Sequence, residues 1–161
     1  MALRRNTLVL DLIALLVFGL AVAAIYFPIL AGRLDLISHD NLDFFFPAFL
    51  IAPTIWEPNA QLGFPVFADP QFQTFYPLRY LFPGSLIGFH LYVFSALVLG
   101  AFFAYRYALY LGAKSTFALM AGLLFGFSGS FAGQITMAAV PLASAWLPVV
   151  LYLCHRLMVD A

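Results

Sequence analysis

The strongest constraint on this chain is the length of its apolar runs. The first covers residues 8–30 and carries one charged side chain, Asp11. As a helix it extends about 34 Å, enough to cross a hydrocarbon core of about 30 Å. Three more runs follow at 86–111, 117–134 and 141–158. In lipid every backbone N–H and C=O must be paired inside the protein, so runs of this length become helices. The chain is 65% hydrophobic and 9% charged, against about 25% charged residues in soluble domains. The expected fold is an all-α membrane protein: one transmembrane domain, residues 1–161, with about four transmembrane helices.

A cleaved signal peptide competes for the first run. Arg4 and Arg5 would be its basic end, and Ala21-Val22-Ala23 resembles a cleavage site. The apolar residues continue through Ile29 and Leu30, beyond the usual stop of a signal peptide, which favours a permanent span. Asp11 lies within two turns of Arg4 and Arg5 and is expected to pair with one of them at the interface. In the third run, Gly122-x-x-x-Gly126 and Gly129-x-x-x-Gly133 would let another helix approach closely, and neighbours beyond this chain are expected there. In the fourth, Pro141 suits a helix start and Pro148 should kink the middle. The lone Cys154 sits in an apolar run and reads as a buried, inert thiol.

Charge placement sets the expected topology. Arg4, Arg5, Arg106, Lys114 and Arg156 fall on one side of an alternating four-span arrangement, and only Arg33 and Arg79 on the other. The positive-inside rule then puts both termini in the cytoplasm and the segment 31–85 outside the cell membrane. Asp35, Asp40, Asp43, Glu57 and Asp69 all fall in that segment. Net charge is zero and no basic cluster exists, so nucleic-acid binding has no electrostatic support.

The outer loop is too aromatic for a linker. It reads Ser38-His39-Asp40-Asn41-Leu42-Asp43-Phe44-Phe45-Phe46-Pro47, then Trp56-Glu57-Pro58, Gly63-Phe64-Pro65, Ala68-Asp69-Pro70-Gln71 and Phe75-Tyr76-Pro77. Prolines at 47, 53, 58, 65, 70, 77 and 83 forbid a long helix, so short interfacial helices joined by turns are expected. One helix should begin near Asp40, capped by Ser38 or Asp40, with an apolar face from Phe44 towards Trp56. Asp40 and Asp43, three residues apart, would share a face of it. Such a pair either caps and solvates the helix or supplies a catalytic base or metal ligand near a lipid headgroup. His39 either is solvated or shuttles a proton, and His90 at the start of the second run either packs or faces a cavity. Arg79 either snorkels to headgroups or binds a lipid phosphate. No P-loop, dinucleotide fingerprint, nucleophile elbow or zinc-binding histidine pair occurs, so chemistry would rest on carboxylates and shape.

The order of these loop motifs, with the later Phe125-Gly126-Phe127-Ser128-Gly129 and Ala145-Trp146-Leu147-Pro148, resembles the N-terminal part of the bacterial YfhO-type membrane proteins, relatives of the GT-C glycosyltransferases. The resemblance covers nearly the whole chain. It implies the N-terminal portion of a GT-C-like fold and an enzyme that moves a sugar from a polyprenyl-phosphate donor to an envelope acceptor. It also implies that Asp40 is the characteristic catalytic carboxylate of the first outer loop, acting as general base on the acceptor or helping to hold a divalent cation. Asp69 and Gln71 would line the same site. Read from the residues alone, and not carried over from the family, His39 and Asp43 are further candidates for contact with substrate and Arg79 for the lipid phosphate. Members of that fold have many more spans, so further transmembrane helices in cis or in trans are expected partners, with membrane lipid and the lipid-linked sugar. Two alternatives stand beside it. One is a non-catalytic scaffold or subunit whose loop docks a partner or lipid. The other is a transporter segment, disfavoured because the spans carry almost no ionisable residues.

Overall fold

The computed structural model describes residues 2–51, 55–58 and 63–160, without the side chains of residues 2–7, Pro70 and Asp160. The chain is mostly helical, and its described residues form no strand beyond one isolated bridge between Glu57 and Phe64. Helix α1 covers Ala2–Ile25 and a short α2 covers Phe27–Leu30. A π-helical turn, Asn41–Phe45, runs directly into α3, Phe46–Leu50. Three 3-10 turns follow, at Val66–Ala68, Pro70–Phe72 and Pro77–Leu81. Then come α4 (Leu86–Tyr110), α5 (Ser115–Gly126), α6 (Ala139–Ser144) and α7 (Trp146–Asp160). Short helices in place of one long one in the loop follow from its prolines. Pro77 opens a helical element, where the missing N–H costs nothing, and Pro47 falls where the π-helical turn passes into α3.

Three segments are long and apolar enough to cross a membrane: Leu8–Ile25, Leu86–Tyr110 and Ala139–Val159. The third apolar run departs from expectation. Its helix stops at Gly126 after 12 residues, about 18 Å, and the chain continues without regular helix to Ala138 apart from one turn, Ala132–Gln134. Glycine and serine at 126–130 hold a helix weakly. In the fourth run the break falls at Ala145, not at Pro148. The proline ring clashes with the carbonyl four residues earlier, that of Ser144, so the helix restarts one turn ahead of it.

Helix α4 is the axis of the molecule. It packs against α1, α5, α6 and α7 and buries Phe89, Val93, Leu97, Ala101 and Tyr105. Gly122 and Gly126 are covered from within the chain. A Cβ at Gly122 would lie 2.5 Å from Phe18 Cζ and 2.7 Å from the Ala101 carbonyl oxygen, and one at Gly126 would lie 2.7 Å from Ala101 Cβ. The expected outside neighbour at that pair is therefore α4 itself. Gly129 and Gly133 have nothing within 4 Å.

Asp11 pairs with Arg106 of α4, whose guanidinium also reaches the Tyr152 hydroxyl on α7 at 3.3 Å. The start of α1 and the end of α4 meet because the loop turns the chain back on itself. The expected pairing with Arg4 or Arg5 falls on side chains outside the described set. Cys154 is exposed, on the outward side of α7 with Leu147, Val150, Leu151 and Leu157, which corrects the expected burial. Tertiary packing gave the inner side of that helix to Val149 and Tyr152.

Candidate functional site

Asn41 sets the position of the loop. It is fully buried, and its amide donates to the carbonyls of Leu36 (2.9 Å) and Ile135 (3.0 Å) while its oxygen accepts from the Ala138 N–H at 3.0 Å. Both amide hydrogens and the amide oxygen have partners, so burial costs little. The acidic residues on either side, Asp40 and Asp43, are thereby held outward, and both are exposed. Asp40 stands at the helix start as expected, but its side chain makes no cap hydrogen bond. His39 is exposed and adopts a left-handed backbone, φ 49°.

Asp43 and Asp69 line one cleft of about 470 Å³, together with Gln71 and the rings of Phe44, Phe64 and Phe72. Phe44 meets Phe72 edge-on at 4.9 Å, and Phe64 meets it at 5.4 Å. Beneath them Ala48, Val66 and Phe72 form a small buried cluster. Asp69 is fixed by its own turn, since its Oδ1 accepts from the Gln71 N–H at 2.7 Å. The two acid-aromatic-proline stretches of the loop thus come together, with Asp43 rather than Asp40 on the facing wall.

A second cleft, about 520 Å³, lies across the Asp69–Gln71 ridge. Its walls include Gln73, Phe75, Tyr76, Ala143 and Trp146, so α6 and α7 close it on the far side. Tyr76 packs edge-on against Trp146, ring centres 5.9 Å apart, and burial pushes its phenol up to about 12. Gln73 is held at φ 53°, with its Oε1 accepting from the Tyr92 hydroxyl at 2.6 Å. A non-glycine residue in that region costs about 1 kcal/mol, and such strain persists where surrounding contacts enforce it.

Arg79 is buried. Its guanidinium donates to the carbonyls of Phe72 (2.8 Å), Ala48 (2.7 Å), Phe49 (3.4 Å) and Ile51 (2.6 Å). It therefore does not snorkel to a surface. It neutralises the carbonyl end of α3 and ties that helix to the 3-10 turn at Phe72, so it joins the two walls of the Asp43–Asp69 cleft. Burial lowers its pKa from the ordinary guanidinium value. His90 is also buried; its Nε2 accepts from the Leu36 N–H at 3.2 Å, at the base of a cleft of about 440 Å³ that includes Arg33 and Asp35.

Among the described residues no three His, Cys, Asp or Glu side chains converge as metal ligands. The first cleft offers two carboxylates and one amide oxygen, fewer than the roughly six to eight oxygens of a closed all-protein calcium cage. Asn41, Gln73 and Tyr92 are the structural members of the site that the sequence did not single out. Asn41 had one visible sign, a lone amide set between the two acids Asp40 and Asp43.

Comparison with protein-family models, with curated proteins and with solved structures finds no match to this chain.

Proposed function

We propose that the chain supplies the loop-side site of a GT-C-like membrane glycosyltransferase, which moves a sugar from a polyprenyl-phosphate donor to an envelope acceptor outside the cell membrane, with both termini cytoplasmic. The observation that carries this reading is the cleft in which Asp43 faces Asp69 and Gln71 over an aromatic floor. Carboxylates and an amide accept and donate to sugar hydroxyls, aromatic faces stack on the ring, and apolar helices nearby suit the lipid tail. One carboxylate would take the proton of the acceptor hydroxyl as its oxygen bonds to the anomeric carbon, while the bond to the phosphate oxygen breaks and polyprenyl phosphate leaves. Resemblance favours Asp40 as that base. The cleft favours Asp43 or Asp69, because Asp40 lines neither of the two clefts.

The test is transfer of radiolabelled sugar from polyprenyl phosphate in membranes carrying the full-length protein. Asp43→Asn or Asp69→Asn should lower transfer by about 10²–10⁴-fold, and Asp40→Asn should have little effect. Full transfer with all three variants would refute the catalytic reading.

A second reading, a non-catalytic subunit that docks a partner or lipid, draws on the exposed loop aromatics. Phe67 and Phe75 meet edge-on at 5.2 Å and are 56% and 69% exposed, outside the cores. It predicts that Phe67→Ser with Phe75→Ser abolishes assembly while the aspartate variants are silent.

A further inference from the structure

Between α5 and α6 the backbone is irregular at a depth where lipid tolerates none. The depth follows from α4. Gly126 packs on Leu97 and Ala101, and Phe131 on Gly100, while α4 runs from Leu86 to Tyr110 and has its midpoint near residue 98. Gly126 therefore lies within about 5 Å of the level of that midpoint, and the tip of the Phe131 ring reaches the same level. Phe131 is buried inward, but Gly129, Ser130, Gly133 and Gln134 are exposed. Among the described residues, the N–H groups of Gly129 and Ser130 make no backbone hydrogen bond. Ser128 Oγ donates to the Phe125 carbonyl at 3.1 Å and sits 3.4 Å from Ser130 Oγ, so the strip is polar in side chain as well as backbone.

Lipid, a packed helix or water could cover such a strip. Lipid would leave each unpaired group at a cost of several kcal/mol. An apolar helix face would leave the same groups unpaired. Water satisfies all of them, and irregular backbone at membrane depth occurs where it lines a wet cavity. The route to bulk water is also visible. From Phe131 the chain climbs towards the loop, where Asn41 holds the Ile135 carbonyl and the Ala138 N–H, and Ala139 and Ala143 then enter the wall of the larger cleft.

We propose that residues 128–134 line a water-filled vestibule that opens on the loop side and reaches the middle of the membrane. This does not depend on sugar transfer. The test uses the full chain in membranes, with Cys154→Ser removing the exposed thiol and a charged, membrane-impermeant methanethiosulfonate added to the loop side. Ser130→Cys should react at least about tenfold faster than Leu124→Cys, because the reactive thiolate forms in water and not in lipid; Leu124 is 71% exposed on the outward face of α5. If Ser130→Cys fails to insert, Gly133→Cys reads the same strip. A rate no faster than that of Leu124→Cys, or labelling from the opposite side alone, would overturn the vestibule.

Discussion

Asn41 and Ala138 are 97 residues apart, and the side-chain oxygen of one accepts the backbone N–H of the other at 3.0 Å in a fully buried position. With the two carbonyls that the same amide serves, this joins the loop to the irregular segment before α6. Asn41→Leu keeps the number and branching of the side-chain heavy atoms and strands two carbonyls and one N–H. The expected cost is about 3 kcal/mol or more, read by chemical denaturation in detergent, with faster hydrogen exchange at Ala138. A change below about 0.5 kcal/mol would mean that the three groups find other partners.

Arg79 binds carbonyls of both cleft walls, and a lysine cannot reproduce a planar fork with several directed donors. Arg79→Lys should cost about 1–3 kcal/mol and speed limited proteolysis between Ala48 and Phe72. Proteolysis at the wild-type rate would show that the apolar packing alone holds the walls.

The glycine pairs of the third apolar run should separate sharply. Gly122→Ala and Gly126→Ala push a methyl into Phe18 and α4, with an expected loss of about 1–3 kcal/mol. Gly133→Ala meets nothing within 4 Å and should stay within about 0.5 kcal/mol of wild type. Thermal unfolding of the three variants in one detergent compares them directly.

Alkaline pH should expose the burial of Tyr76. Its phenol titrates near 10.0 in the unfolded chain and at about 12 in the folded one. Across that window the folded protein holds the proton and the unfolded chain does not. Stability from this group is therefore intact below pH 10 and declines as pH rises to about 12. Tyr76→Phe should flatten that part of the stability curve and remove a phenolate absorbance step near pH 12. A step at the ordinary phenol value would show Tyr76 to be solvated.

Run length was legible in the sequence because long apolar segments obey a local rule: an apolar stretch of sufficient length must pair its own backbone. The spans at Leu8–Ile25 and Leu86–Tyr110, the short helices of the proline-rich loop and a helix starting near Asp40 follow from that rule and from proline stereochemistry. The run at 117–134 obeyed it only as far as Gly126, since hydropathy counts apolar residues and does not register where a glycine-serine stretch leaves the helix.

What the tertiary structure alone decided is which distant groups meet. Asp11 finds Arg106, and Arg79 finds the carbonyl end of α3 rather than a surface. Asp43, not Asp40, joins Asp69 in a cleft, because the burial of Asn41 rotates its neighbours outward and the chain returns at Phe72 against Phe44. Spacing along a sequence fixes which side chains share one helix face. Contacts between segments depend on how the loop closes over α4, and no local pattern encodes that closure.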